Sequence, residues 1–450
     1  MDNDLKYLSN YWYNIQADLN DYEPLFFNPV TTKKAQMDEL NLIFPKNLIE
    51  QETTREKYIE IPEQVLDVYK LYRPTPLKRA YNLEKVLHTP AKIFYKYEGA
   101  SPTGSHKLNT AIAQAYFNKI SGINTLTTET GAGQWGSALA FACKQLKMHC
   151  KIFMVKISFE QKPYRRILMN LMDGEVIASP SEKTETGRKI LKEMPNSNGS
   201  LGIAISEAVE IAAANKDINY ALGSVLNHVI LHQSVIGLES KKQLASIGIY
   251  PDIVIGCCGG GSNFSGISFP FIADKLNGKD VRAIAVEPMA CPTLTKGNYT
   301  YDYGDTAKLT PIMKMYTLGH NFIPPAIHAG GLRYHGVSPL LSHIYNKGLI
   351  EAVALPQSEV YKAGKLFAET EGIIPAPESA HAIATAIKEA NICNEKNISK
   401  NILFCLSGHG HFDMSFYEKH INRELEDIDY PDQYIKESLK DLPKIETNNY

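Results

Sequence analysis

Four short stretches of the sequence carry residue types suited to chemistry. The first is Cys258-Gly259-Gly260-Gly261-Ser262-Asn263. Three glycines let a backbone approach an anion closely, and successive N–H groups at a helix start cradle a phosphate. Ser262 and Asn263 add side-chain donors. No Gly-Lys-Ser/Thr follows, so this is not a Walker A loop. Phe264 stands where a dinucleotide fingerprint needs its third glycine. The plain alternative is a tight strand–helix turn. The second stretch is Ser101-Pro102-Thr103-Gly104-Ser105-His106-Lys107-Leu108-Asn109. A lysine at a helix start is disfavoured as a cation, which favours the free amine that a Schiff base needs. A solvated surface lysine is its alternative. The third is Thr128-Glu129-Thr130-Gly131-Ala132-Gly133-Gln134-Trp135-Gly136, whose Gly-Ala-Gly turn can wrap a carboxylate in backbone donors. Glu129 is placed there as an acid–base group, or as a plain exposed carboxylate. The fourth is Leu406-Ser407-Gly408-His409-Gly410-His411, in which the two histidines have no third metal ligand in view and read as packing or surface residues. A phosphate cradle, an imine-forming lysine and a carboxylate loop together imply pyridoxal phosphate acting on an amino acid.

These stretches need strands to aim them. Short apolar runs alternate with amphipathic ones from Ile93 onward. The pattern predicts strands over 92–97, 125–129, 150–155, 252–256, 282–287 and 401–406, with helices over 109–121, 137–147 and 264–276. Strands alternating with helices mean βαβ units and parallel sheets. Each of the four stretches then sits at a strand end or a helix start, where ligands of open α/β sheets bind. Residues 1–70 read as short helices and loops wrapping a core that lies later. Arg73-Pro74-Thr75-Pro76-Leu77 reads as extended, because each proline disfavours helix before it. The charged stretch 424–450 reads as a helix with a frayed tail.

The chain has 450 residues, enough for two or three domains and a large core without staples. Its 47 Lys and Arg balance 49 Asp and Glu, which argues against nucleic acid as a partner. The seven cysteines are irregularly spaced and read as reduced, buried thiols in a cytoplasmic protein. No signal peptide or apolar run near 20 residues is apparent, so no membrane partner is expected.

A family resemblance rests on Gly104-Ser105-His106-Lys107-Leu108-Asn109, Glu129-Thr130-Gly131-Ala132-Gly133-Gln134, Gly259-Gly260-Gly261-Ser262-Asn263, Thr370-Glu371-Gly372-Ile373-Ile374-Pro375-Ala376 with Glu378, and Leu406-Ser407-Gly408. In this order, from about Arg73 to Asp413, they resemble the tryptophan synthase β chains. The N-terminal extension, Trp135, Leu332-Arg333-Tyr334-His335-Gly336 and Ser407-Gly408-His409-Gly410 resemble the longer, type 2 branch of that family. The resemblance implies a fold-type-II pyridoxal phosphate enzyme with two open, twisted, mostly parallel sheets. It implies an extension over 1–70, an N-terminal domain over 106–229 with a closing subdomain near 122–206, and a cofactor-phosphate domain from 71–105 plus 230–450. Lys107 would hold the cofactor covalently. Ser224, Gly259, Gly260, Gly261, Ser262 and Asn263 would bind its phosphate, and Ser407 would meet the pyridine nitrogen. His106 and Glu378 would pack beside it. Thr130, Gly131, Ala132, Gly133 and Gln134 would hold the substrate carboxylate, and Glu129 would manage the proton of the leaving hydroxyl. The implied reaction joins indole to L-serine, with a monovalent cation as a further cofactor, a homodimer as the assembly and an α subunit as a weak or transient partner.

The departures from the main branch are Arg333 in place of an aspartate, Trp135 in place of a histidine, and His409-Gly410-His411 in place of Arg-Gly-Asp. If Arg333 reaches the substrate side chain, it favours an anionic leaving group and so O-phospho-L-serine as donor. The alternative is that Arg333 pairs with an acid of the closing subdomain. Three rival functions stay open from sequence. One is another β-eliminating or β-replacing enzyme of this fold, such as a serine dehydratase. Another is a nicotinamide dehydrogenase using Glu287 on a ribose. The last is a catalytically silent binding protein.

Overall fold

The computed structural model describes residues 5–325, 327–429 and 432–445. Two parallel sheets dominate it. The larger has six strands in the order 351–355, 282–288, 253–257, 401–406, 92–97 and 77–79. The first five are mutually parallel and Leu77–Arg79 closes the edge antiparallel. Its middle strands are continuous apolar runs, such as Ile253–Cys257 with all five residues buried. Helices on both faces demand that pattern. The smaller sheet is all parallel, in the order 175–179, 149–155, 125–130 and 218–220.

The order of the large sheet explains where a ligand sits. From Ile253–Cys257 the chain moves outward to 282–288 and 351–355. It then returns to insert 401–406 on the other side of 253–257. Strand order reverses there, and the loops leaving Cys257 and Leu406 diverge around a crevice. Those loops are the triple glycine and Ser407.

The predicted strands and helices are all present, with 92–97 and 401–406 unshifted and the other ends shifted by at most three residues. The helix predicted over 137–147 starts earlier, at Gln134, because left-handed Gly133 (φ +93°) turns the chain directly into it. Two expectations need correction. The N-terminal stretch is not only helices and loops. Tyr11–Tyr13 pairs antiparallel with Tyr58–Glu60, and Phe26–Phe27 adds to the hairpin of Asn298–Tyr303 and Ile312–Thr317. These aromatic residues suit strands. Among the described residues of the tail, only Asp432–Ser438 and the turn Leu439–Asp441 are helical. Residues 424–429 carry four acids in six positions and form no helix. Asp427 instead caps the helix Gln357–Glu371 by accepting from the Ser358 N–H and hydroxyl. Residues 430, 431 and 446–450 of that expectation lie outside the described residues.

The extension does wrap a later core. Trp12, fully buried, packs on His232 at 4.5 Å. Phe26, Leu40, Ile43, Phe44 and Ile49 share a cluster with Phe153, Ile205, Tyr220 and Tyr334. All seven cysteines are buried and free. Among the described residues, no helix is long and apolar enough to cross a membrane.

Candidate active site

The triple glycine has no room for side chains. A Cβ on Gly260 would stand 2.3 Å from the Ser224 hydroxyl, and one on Gly259 would stand 2.7 Å from the Gly331 carbonyl. Gly261 is left-handed (φ +108°) and starts the helix Ser262–Leu276. The backbone N–H groups of Gly259, Gly260 and Gly261 meet no acceptor among the described residues. Free donors at the start of a long helix, with the Ser224 hydroxyl beside them, fit a phosphate. The Asn263 amide nitrogen donates to the Cys257 carbonyl at 3.2 Å, so this side chain braces the turn. Its Oδ1 is buried without a partner.

The loop 101–107 folds over the same crevice. His106 donates its backbone N–H to the Ser407 carbonyl, and its Nε2 lies 3.3 Å from the Ser262 hydroxyl. Burial, with Lys107 nearby, pushes the His106 imidazole down to about 3, so it is neutral. Lys107 caps the helix Leu108–Ile120, and its Nζ lies 3.4 Å from the Gly223 carbonyl. Burial lowers its ammonium below the ordinary lysine range, as nucleophilic amines require. His409 is a packing residue: its ring lies where a Cβ on Gly104 would be. Ser407 and Glu378 complete a crevice of about 340 Å³ that also touches His106, Lys107, Ser224, Cys257 and residues 259–263. The donor set, the buried lysine amine and the glycine cradle fit pyridoxal phosphate.

Lys107, Gln134, Ser224, Gly260 and Gly331 also line a second, mostly apolar cavity. Its walls include Phe26, Leu40, Phe44, Leu48, Ile205 and Met313, and Glu129 is part of its lining. Glu129 comes from the strand Thr125–Thr130 and accepts from the Tyr220 hydroxyl at 2.5 Å. Burial pushes its carboxyl up to about 7. Gly131, Ala132 and Gly133 form the turn after it. The Thr130 hydroxyl accepts from the Gly136 N–H, and Gln134 donates through its side chain to Glu378 at 3.2 Å. Glu378 also accepts from the Gly331 N–H at 2.8 Å. The Trp135 indole donates to Thr128 at 2.6 Å and packs against Gly223.

Arg333 lies near Gly330 and reaches Ser158 of the smaller-sheet region at 3.4 Å. Among the described residues it makes no ion pair, so the acid partner considered from sequence is not found. Glu287 has another task than a ribose contact. It accepts from the N–H groups of Leu294 and Thr295 and from the Thr295 hydroxyl, capping the short helix Thr293–Lys296. Sequence reasoning missed Tyr220 and Ser379, whose hydroxyls touch Glu129 and Ser407. Tyr220 stands two residues before Leu222-Gly223-Ser224, a position whose only sequence signal is that nearness.

The pyridoxal-phosphate dependent enzyme family matches residues 68–408. The chain is 60% identical over 415 residues to tryptophan synthase β chain 2 of Methanosarcina acetivorans, covering 92% of this chain and 94% of that one. It is 60% identical to that of Aquifex aeolicus (92% and 97% covered) and 59% identical to that of Thermotoga maritima (91% and 97%). Among solved structures, processed threonine deaminase isoform 2 from Solanum lycopersicum matches at a TM-score of 0.57 and 21% identity, over 79% of this chain and 90% of that one. A fungal L-serine ammonia-lyase from Rhizomucor miehei matches at 0.57 and 19%, over 77% and 98%. Those two likenesses speak to the fold alone.

Proposed function

The chain belongs to the pyridoxal-phosphate dependent enzymes and, among them, to the tryptophan synthase β chains; from that premise we propose that it condenses indole with L-serine to give L-tryptophan and water. The observation that carries this reading is the junction at Lys107. A polar crevice with free N–H groups opens there into an apolar cavity fit for an aromatic ring, and Glu129 is part of that cavity's lining.

Bound pyridoxal phosphate supplies a conjugated ring that acidifies the α-proton of an amino acid joined to it. The glycine turn and Ser224 hold the phosphate. Ser407 would meet the ring nitrogen, and His106 and Glu378 would pack beside the ring. The N–H groups of the 131–134 turn orient the serine carboxylate. Lys107 would hold the cofactor through Nζ, and its free amine would take the α-proton. Glu129, titrating near neutrality, gives its proton to the departing β-hydroxyl and regains one as indole C3 adds. The apolar wall from the extension excludes water that would divert serine to pyruvate. In this reading residues 106–229 form one domain, with 122–206 closing over the site, and residues 71–105 with 230–450 form the other. A cytoplasmic homodimer, a transient α-subunit partner and a bound monovalent cation belong to the same proposal.

Arg333 favours a second reading of the donor. A half-buried guanidinium near Gly330, with no ion pair among the described residues, suits a phosphate leaving group, so O-phospho-L-serine is the alternative. Tryptophan formation from indole with each donor tests both, in wild type and Arg333→Ala. Condensation with L-serine supports the first reading. A selective loss with O-phospho-L-serine in Arg333→Ala supports the second. No tryptophan from either donor contradicts both.

A further inference from the structure

We propose that Trp135 is a positioning residue for the Lys107 amine and acts on it through the Gly223 carbonyl. This rests on the reading that Lys107 is the amine that attaches the cofactor. The Gly223 carbonyl, at 3.4 Å, is the one hydrogen-bond acceptor that Lys107 Nζ meets among the described residues. The contact is long, so a further shift of a few tenths of an ångström ends it. Whatever fixes that carbonyl therefore fixes the amine.

Trp135 is buried, and its indole lies tight against Gly223. A Cβ on Gly223 would stand 2.7–2.9 Å from three atoms of the ring. Gly223 has no left-handed φ, so its missing side chain answers the indole and not the backbone. The indole is itself tethered. Its N–H donates to the Thr128 hydroxyl at 2.6 Å, and an indole nitrogen can only donate. The Thr128 proton is then free for a carbonyl, and the Ala221 oxygen accepts it at 2.5 Å. Trp135 thus reaches the 221–223 backbone twice, at Ala221 by way of Thr128 and at Gly223 directly. Gln114 holds the residue between. The Leu222 N–H donates to its Oε1 at 3.2 Å, and the Leu222 carbonyl accepts from its Nε2 at 2.8 Å. Gln114 is buried on the helix Leu108–Ile120, two turns beyond Lys107. The lysine and the carbonyl that it meets are tied to one frame.

A neutral amine that gives one N–H to a fixed carbonyl has a fixed direction for its lone pair. Released from that carbonyl, the end of the side chain samples its staggered wells, and the lone pair points the right way for only part of the time.

Attachment joins Nζ to the aldehyde carbon and releases water, made of the aldehyde oxygen and both protons of the neutral amine. The test follows it on the full-length chain freed of cofactor, by the rise of visible absorbance after mixing with saturating pyridoxal phosphate. Deoxypyridoxine phosphate, which lacks the aldehyde, reads the phosphate cradle alone by equilibrium binding. Trp135→Phe keeps a ring and removes the N–H; Trp135→Leu removes both. Attachment should slow by about threefold in Trp135→Phe and about tenfold in Trp135→Leu, the scale of a freed torsion and a lost hydrogen bond, with affinity for the analogue within about twofold of wild type. Gly223→Ala, which drives a Cβ into the indole, should slow attachment too, and adding Trp135→Leu to it should recover part of that loss. An unchanged rate in Trp135→Leu overturns the proposal; if that variant does not fold, Trp135→Phe decides. Equal losses of attachment rate and analogue affinity also overturn it, because Trp135 then only shapes the cradle. No recovery in the double variant overturns the route through Gly223. Borohydride mapping of wild-type holoenzyme to another lysine overturns the premise, and the proposal with it, whatever the variants do.

Discussion

Glu129 is a carboxyl with one strong partner and an apolar surrounding. Burial raises it to about 7, while the Tyr220 hydroxyl pulls the other way by stabilising the charged form. If its acid form helps the serine hydroxyl leave, kcat/KM for serine falls as pH rises through about 7 in the free enzyme. Tyr220→Phe removes the opposing hydrogen bond and should move that alkaline limb to higher pH. A limb that stays or moves down would show that Tyr220 does not tune Glu129. Glu129→Ala should keep the cofactor absorbance and lower condensation by about 10²-fold or more, the usual scale of acid–base groups. Full activity in that variant would remove Glu129 from the chemistry. Glu129 itself was legible in the sequence, because a lone carboxylate near the end of a threonine-rich strand beside a glycine turn is unusual. Tyr220 was not, since it is brought to Glu129 only by the pairing of 218–220 with 125–127.

Among the elements, the helix Pro163–Leu171 carries a contact that no sequence pattern announces. Lys162 and Arg165 both meet Asp413, at 2.6 and 3.5 Å, and all three are buried. The bridge ties the smaller-sheet region to the loop after Ser407. Arg165 also stacks over Phe412 and packs under Gly133, so the turn after Thr130 rests on it. Burial alone would raise the Asp413 carboxyl, but Lys162 and Arg165 hold it below the ordinary 3.8. A lowered carboxyl stabilises the fold above its unfolded value, and that stability is lost as pH falls through the folded one. Asp413→Asn leaves two buried cations unpaired and should cost about 3–5 kcal/mol. Urea unfolding near pH 7 measures it. An unchanged midpoint would mean that the bridge contributes nothing. The elements themselves were readable where apolar runs are long and bounded by glycine, as at 253–257 and 401–406. They were not readable over 298–317, where a tyrosine-rich hairpin alternates polar and aromatic residues, nor at 424–429, where an acid run resembles a solvated helix.

At the scale of the whole molecule, four buried charges set the frame. Arg73 bonds Glu98 and Glu239, and Lys96 bonds Glu239, each at 2.8 or 2.9 Å. Arg73 also reaches Asn109, two residues past Lys107. The sequence showed Arg73-Pro74-Thr75-Pro76 only as an extended segment, because a charge network formed by residues as far apart as 73 and 239 leaves no local signature. The proposed homodimer is a statement at this scale, and two-fold assemblies are the commonest oligomers. Sedimentation should give a dimer at micromolar concentration, and a monomer there would contradict it. The account as a whole depends on one covalent bond, between the cofactor and Lys107. Borohydride reduction of the holoenzyme followed by peptide mass mapping tests it most directly. The account predicts loss of the visible absorbance and a pyridoxyl group on Lys107 alone; a pyridoxyl group on another lysine, or on none, would contradict it.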